Sequence, residues 1–458
     1  MIAPDELVID LFAGGGGASM GIERALGRSP DIAVNHSADA IAMHARNHPT
    51  TKRYRESVWK VRPCEVCRGR RVGLLHASPD CTYHSRARGG KPRDGKARSL
   101  ASVVICWARE VGPRIIVLEN VEEWLDWGPL DNEGQPIKEK AGRSFRNWLG
   151  KLKAQGYRVE WRILNAADYG APTSRKRVFL VARNDGEPIR WPWPTHGKGT
   201  GRPHRGAHEI IDWTDLGESI FTRRRALADN TLRRIAAGVK RHVIDTATPF
   251  IAPTNDGLVV PTLVQSGYGE RPGQSPRVPG LAKPLGTVVT DSKHRLVAAM
   301  LTKHFGGVVG HGVQLPLGAI TTKDHHAVTT AELDEGTDHS DEVHGFLVKY
   351  YGAAGRPESQ QQSLLEPLHT ITTKARFGLV TVHGRPYRIV DIRSRMLRPR
   401  ELFDAQGFPR SYVIDEGADG RQLTLTAQNE LVGNSVCPDV EHALVAANTR
   451  PTRAREAA

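Results

Sequence analysis

Leu7-Val8-Ile9-Asp10-Leu11-Phe12-Ala13-Gly14-Gly15-Gly16-Gly17-Ala18-Ser19 begins as an apolar run and ends in four consecutive glycines. Leu7–Phe12 reads as a buried strand, and the glycines after it let a backbone pass close to a ligand. The loop does not satisfy G-x-G-x-x-G, because the third position falls on Ser19 or Met20, and no G-x-x-x-x-G-K-[ST] occurs in the chain. Nicotinamide and phosphate-loop readings therefore lose ground. Further strands are predicted at Ile32–Asn35, Val72–Ala77, Ile115–Glu119, Tyr157–Leu164 and Val178–Ala182, and helices at Ala101–Val111 and Ser144–Gln155. Strands alternating with helices predict an α/β fold with a doubly wound, mostly parallel sheet, whose ligands bind beyond the carboxyl ends of the strands.

The rhythm breaks at Trp191-Pro192-Trp193-Pro194, and the stretch to Gly206 reads as a linker. Residues 207–388 then form a smaller β-rich region, inserted between a first lobe at 1–190 and a closing segment at 389–458. Inside it Lys283–Thr290, Leu315–Thr322 and Glu366–Thr373 repeat one pattern, with Pro284, Pro316 and Pro367 spaced 32 and 51 residues apart. Irregular spacing argues against a regular solenoid. Arg223–His242 reads as a basic helix with Leu227, Leu232, Ile235 and Val239 on one face, and Val440–Ala447 as a closing helix.

The 458 residues include 64 Lys and Arg against 50 Asp and Glu, a net charge of +14. An imbalance of that size favours a polyanionic partner. Between residues 184 and 390 there are 24 basic and 20 acidic residues, so most of the excess sits on the first lobe. Five cysteines are too few for a disulfide scaffold and fit a reducing compartment. Apolar runs fall short of the ~20 residues a bilayer needs, and the N-terminus does not read as a signal peptide; a cytoplasmic address is expected.

Three more segments carry chemistry. Cys81 follows the strand Val72–Ala77 on a loop that continues into Arg86, Arg88, Lys91, Arg93, Lys96 and Arg98, with Asp94 as the sole acid, a setting that stabilises a thiolate and attracts phosphate. Glu119 ends the strand Ile115–Glu119, and a desolvated carboxyl there favours its protonated form, as a proton donor needs. Arg175 and Arg177 project to the same side of an extended backbone ahead of Val178–Ala182. Cys64-Glu65-Val66-Cys67 lacks a second ligand pair, and Lys323-Asp324-His325-His326 reads as a polar loop, so no metal is expected.

In this order the segments resemble those of the DNA cytosine-5 methyltransferases, with a D-L-F-A-G loop, a P-C loop, an E-N-V strand end and an R-x-R pair. The closing half of that pattern is present as Arg395–Glu401 with Gln406-Gly407-Phe408-Pro409, and as Gly433-Asn434-Ser435-Val436. The resemblance spans about 250 residues. It implies the S-adenosylmethionine-dependent methyltransferase fold with an inserted target-recognition domain, and a monomeric, phage-like or restriction-associated enzyme acting on double-stranded DNA, with a restriction endonuclease as a possible partner.

By that resemblance Cys81 is the nucleophile that adds to cytosine C6, Glu119 holds or protonates N3, and Arg177, helped by Arg175, contacts O2. S-adenosylmethionine is expected against Asp10, Phe12, Ala13, Gly14 and Gly16, with Asn35 at the ribose, Ser57 and Val58 at the adenine, and Pro79, Asn434 and Ser435 lining the pocket. DNA contacts are expected from Ser85, Arg86, Arg88 and Lys91, and from Arg223, Arg224, Lys374 and Arg376. The chain departs from the pattern in four places: Pro79-Asp80-Cys81-Thr82 stands for P-P-C-Q, Asn35 and Ser57 stand where acids are expected, and Thr173 stands where a Gln precedes the R-x-R pair. A tRNA cytosine-5 methyltransferase and a DNA-binding protein with a decayed site are the two alternatives on the same lobe.

Overall fold

The computed structural model describes residues 1–80, 84, 100–246, 248–254, 258–265, 274–290, 294–303, 339, 342–343, 346–347, 379–382 and 385–449. Cys81, Ser85, Arg86, Arg88, Lys91, Lys374 and Arg376 lie outside these residues, as do the second and third copies of the repeat. The chain divides into two compact units. One joins Met1–Ile210, Lys283–Ser292 and Arg398–Ala458; the other joins Ile211–Ala282 and Lys293–Leu397.

The first unit is built on seven strands: β1 Leu7–Leu11, β2 Ile32–Val34, β3 Lys52–Tyr54, β4 Val72–Ala77, β5 Ile115–Asn120, β6 Arg158–Asn165 and β7 Lys176–Arg183. Their order is β3-β2-β1-β4-β5-β7-β6. β1 to β5 pair in parallel, and β7 runs antiparallel to both β5 and β6. From β1 the chain steps outward to β3, then returns to the other side of β1 with β4. The crevice between the carboxyl ends of β1 and β4 is thus the switch point of the sheet, where ligands bind in open α/β folds.

Strand alternation assigns the two faces. Leu7, Ile9, Leu11, Leu75, Ile116, Leu118 and Leu180 share one buried cluster with Trp107 of α4 (Ser102–Val111) and with Phe145, Trp148 and Leu152 of α5 (Arg143–Lys153). Val8, Leu74, Ile115, Val117, Phe179 and Val181 share another cluster, with Ala18 and Ile22 of a helix at Gly17–Leu26 and Val440, Leu444 and Val445 of a helix at Pro438–Thr449. Helices thus cover both sheet faces, as the alternation in the sequence predicts. In chain order the first helix is α1, followed by α2 Ala38–Asn47 and α3 Pro63–Cys67.

The seven-stranded sheet confirms the doubly wound class and adds what the residues did not show. β3 is Lys-Arg-Tyr at the sheet edge, with no apolar pattern to betray it. Lys283–Ser292, expected within the inserted region, belongs to the first unit, and Ile389–Leu397, expected within the closing segment, belongs to the second. Trp191–Gly206 carries no helix or strand but is packed down: Trp191 Nε1 donates to Glu160 at 3.0 Å, and His204 Nε2 lies 2.8 Å from Asp168.

The second unit holds α6 Asp229–Val239 and an antiparallel sheet of β8 Glu218–Ser219, β9 Leu258–Gln265, β10 His294–Lys303, β11 Leu379–Val382 and β12 Arg385–Met396. The order is β11-β12-β10-β9, with β8 beside β12. Ile235 and Val239 are buried against Val260, Val264, Val297 and Ile392, while Leu227 and Leu232 pack at the margin. The helix starts at Asp229, six residues later than predicted, because Ala228 is extended and Arg223–Leu227 precede the first turn. Returning to the first unit, the chain closes with α7 Pro399–Ala405, α8 Leu425–Gly433 and the C-terminal α9 Pro438–Thr449. Among the described residues no helix is long and apolar enough to cross a membrane.

Candidate active site

Five parallel strands deliver their carboxyl ends to one edge of the sheet, so the residues just after them are neighbours by topology. These are Phe12 to Gly14 after β1, Asn35 after β2, Ser57 and Val58 after β3, Ser78 to Asp80 after β4, and Glu119 with Asn120 at the end of β5. The turn after β1 is tied to both flanking strands: the Ala13 amide donates to Val34 O at 3.1 Å and the Ser78 amide to Leu11 O at 3.3 Å.

Phe12 has φ 64°, in the left-handed region that a bulky side chain rarely enters. Such a residue costs on the order of 1–3 kcal/mol and persists only where its surroundings fix it. The next glycines serve two different purposes. Gly14, at φ 45°, would carry an added Cβ into space where its nearest neighbour among the described residues is Phe12 O at 3.7 Å, so among those residues this side of the turn is open. Gly16, at φ 91°, would drive a Cβ into the Tyr412 hydroxyl, and Gly17 would drive one into Ser435 Oγ and Val436 O. Gly16 and Gly17 are therefore seats for the C-terminal segment, not an approach for a ligand. The Tyr412 hydroxyl fastens this seat by donating to Gly15 O at 2.7 Å.

Of the residues expected at a cofactor, Asp10 is wholly buried. Ser19 Oγ donates to its Oδ2 at 2.6 Å and His76 Nδ1 lies 2.9 Å from its Oδ1, so its carboxylate supports the turn from beneath. Ala13 and Ser435 are buried as well, and Ser435 hydroxyl donates to Val436 O. Asn35 is half-buried and accepts the Ser37 amide on Oδ1 at 2.8 Å. Ser57 is half-buried, Val58 packs into the first core cluster and Asn434 is exposed at the end of α8.

At the end of β5, Glu119 Oε1 stands 3.2 Å from Arg177 Nε and 3.9 Å from Arg175 Nη2. β7 begins at Lys176, and its antiparallel register sets Val178 opposite Asn120. That register brings Arg177 to the carboxyl end of β5. The two arginines differ in surroundings. Arg175 is buried and its Nη1 donates to Val288 O at 3.0 Å and to Gly433 O at 3.1 Å, while Arg177 Nη1 donates to its neighbour's carbonyl, Lys176 O. Arg175 is thus a strut that pins the first repeat copy against α8. Thr173 and Ser174 extend the seam: the Ser174 amide donates to Leu285 O and the Leu285 amide to Pro172 O.

Cys81 itself lies outside the described residues, but its approach is fixed. Asn120 Nδ2 donates to Pro79 O at 3.1 Å, hooking the loop after β4 to the end of β5. The sequence pattern gives Asn120 no task and does not mark Tyr412. A buried strand ending in a carboxamide was the available signal for the first; nothing local marks the second. Among the described residues no cluster of His, Cys, Asp and Glu suits a metal. Cys64 is exposed near Glu110, and burial pushes the Cys67 thiol up to about 11.

In the second unit Arg223 lies beside Glu218 at 3.6 Å and Arg224 is exposed. Both precede α6.

The first unit thus combines a doubly wound sheet, a glycine turn at its switch point and an acid–guanidinium pair at the end of its fifth strand. Residues 7–229 match the model of the C-5 cytosine-specific DNA methylase family. The chain is 28% identical over 205 residues to the type II methyltransferase M.AquIA of Picosynechococcus, covering 42% of this chain and 78% of that protein. It is 30% identical over 197 residues to M.AgeI of Thalassovita gelatinovora, covering 42% of each chain. Against M.AgeI and M.SacI of Streptomyces achromogenes the chain spans about half the length of the curated relative, 42% and 57%. A crystal structure of Spodoptera frugiperda DNMT2 shares the fold, with a TM-score of 0.50 at 15% identity over 95% of this chain and 97% of that one.

Proposed function

We propose that this chain methylates C5 of a cytosine turned out of double-stranded DNA, through a covalent bond between Cys81 and C6, with S-adenosylmethionine as donor. The observation that carries the reading is the convergence at one sheet edge of the open turn at Phe12–Gly14, the Pro79 carbonyl held by Asn120, and the Glu119–Arg177 pair. The residues present suit the donor: Gly14 leaves room for a ligand to lie on the turn, and Asn35 and Ser57 offer neutral polar groups at the next two strand ends.

C5 of cytosine is a poor nucleophile, and covalent addition is the remedy. The Cys81 thiolate forms the S–C6 bond, the C5–C6 π pair becomes available at C5, and negative charge moves to N3. Glu119 in its acid form donates to N3 and Arg177 donates to O2, the 3.2 Å contact between the two side chains keeping both aligned. S-adenosylmethionine, when bound, supplies the methyl group that C5 takes. Loss of the C5 proton then restores the ring as the S–C6 bond breaks. The base leaves the stack to reach this edge, and the basic run 86–98 supplies charge for the DNA phosphates.

Cys81→Ser is expected to abolish methyl transfer while DNA binding persists, measured by tritiated-methyl incorporation and by gel shift. Duplexes carrying 5-fluorocytosine, given the methyl donor, should trap a covalent adduct on Cys81. Turnover by Cys81→Ser, or an active enzyme that leaves no adduct, overturns the mechanism. Bisulfite sequencing of DNA from cells expressing the chain reads both activity and target.

A further inference from the structure

Asp10 and His76 are register partners on the adjacent strands β1 and β4, and both face the sheet side covered by α1 and α9. Each is fully buried. Around them the same face is apolar, with Val8, Leu74, Ile115 and Val117 as neighbours, so this ionisable pair sits in the last layer of core before the edge where the site opens. Glu441, on α9 and also fully buried, completes a line: His76 Nδ1 is 2.9 Å from Asp10 Oδ1, and His76 Nε2 is 3.7 Å from Glu441 Oε2.

A buried carboxylate is retained only against compensating charge or hydrogen bonds. Glu441 has no hydrogen-bond partner on either oxygen among the described residues, and its charge faces His76. With Asp10 taking the Nδ1–H, the Nε2–H of an imidazolium points at Glu441. The charged and titratable groups facing His76 are Asp10 from β1, Glu441 from α9 and, further off, Glu119 from β5. Those facing Glu441 are His76, Asp10 and Glu119. Asp10 also meets Ser19 of α1, which in turn lies 2.9 Å from His44 Nε2 of α2. The line thus joins β1, β4, α1, α2 and α9 two residues before Phe12, the strained residue of the open turn, and one residue before the end of the strand that leads to Cys81.

We propose that His76 is a positioning residue of the methyl-transfer site: bridging Asp10 and Glu441, it locks the turn Phe12–Gly16 against β4 and α9 in the shape that accepts the cofactor. This rests on the functional reading above for its consequence, not for its geometry. The electrostatics agree. Burial works against the charged ring, but Glu441 and Asp10 together raise His76 to about 9, so the bridge carries its proton at neutral pH.

The test compares the wild-type chain with His76→Gln and with Glu441→Gln, the second serving if the first does not fold. Hydrogen exchange at the amides of Phe12–Gly16 needs neither cofactor nor DNA. It should quicken at least tenfold in each variant while the amides of α5, on the opposite sheet face, keep their protection. In wild type the same amides should quicken as pH rises past about 9, beyond the intrinsic base-catalysed increase, and the variants should lose that step. S-adenosylmethionine affinity, by calorimetry, should fall at least tenfold in the variants. Unchanged exchange at Phe12–Gly16, or loosening shared equally with α5, overturns the proposal. A wild-type chain that shows the exchange step but neither binds the donor nor methylates DNA upholds the lock and sinks the functional reading instead.

Discussion

Asn35, the residue after β2, has its side-chain carbonyl oxygen engaged by the Ser37 amide, so its remaining side-chain polar group is an NH2 donor. Ribose hydroxyls bind more firmly to a carboxylate, since hydrogen bonds to charged groups contribute about 1.5–3 kcal/mol against ~1 for neutral ones. Asn35→Asp keeps the contact to Ser37 and adds that acceptor. Its affinity for S-adenosylmethionine, by calorimetry, should tighten by about threefold to tenfold; equal or weaker binding removes Asn35 from the ribose. Glu119→Gln keeps the shape of the Arg177 contact but cannot hold a proton for N3. We expect kcat to drop by roughly 10²–10⁴ with DNA affinity kept, read in single-turnover methylation, and a normal kcat would strip Glu119 of its role. At this scale the sequence reads placement well at a strand end, as for Glu119 and Arg177, which stand 3.2 Å apart. It reads poorly for Asp10, expected at the cofactor and found beneath the turn, because a motif says which residue is present but not which face of a strand it occupies.

Elements meet here with little slack. Gly17 opens α1, and a Cβ there would overlap Ser435 and Val436, while one at Gly21 would crowd Glu441 and Pro438 O of α9. Gly17→Ala, usually favourable inside a helix, is therefore expected to destabilise the first unit by about 1–3 kcal/mol, seen as a lower urea midpoint; an unchanged midpoint would show that the C-terminal segment yields. Protonation at the α9 contact also has a sign. Burial raises the Glu441 carboxyl from 4.5 to about 7, so the folded chain binds the proton more tightly than the unfolded one. Its contribution to stability is full below pH 4.5 and is lost as pH rises through about 7. Glu441→Gln removes this slope, and its melting temperature should vary less than wild type between pH 5 and 7. A parallel course for the two would refute the assignment. Strands are legible as elements because both sheet faces are covered, leaving unbroken apolar runs such as Ile-Ile-Val-Leu at the start of β5. β3, with no such run, is not. The placement of Lys283–Ser292 in the first unit was hidden too, since this copy of the repeat resembles the others and its docking depends on backbone hydrogen bonds to Pro172 and Ser174.

For the whole molecule, charge is divided unevenly. The excess of basic residues is +14 over the chain but only four between residues 184 and 390, the stretch that contains the second unit's start, its sheet and the repeats. Phosphate contacts position a protein on DNA, and base contacts specify the sequence. On the proposed function, the expectation is that the first task falls mainly to the first unit, which includes the basic run 86–98, and the second to the Ile211–Ala282 and Lys293–Leu397 unit. The two are separable by salt. Each phosphate neutralised contributes a slope of about −0.9 to log K against log salt on duplex DNA. Replacing Arg86, Arg88, Lys91 and Arg93 together by glutamine should make that slope shallower by roughly two to four, equally on target and non-target duplexes, with their affinity ratio preserved. Replacing Arg224 should leave the slope within about one of wild type and narrow the ratio. Binding isotherms from 50 to 300 mM salt on both duplexes decide it: if the quadruple variant loses discrimination while its slope holds, the basic run reads bases, and the division of labour drawn from the charge pattern is reversed.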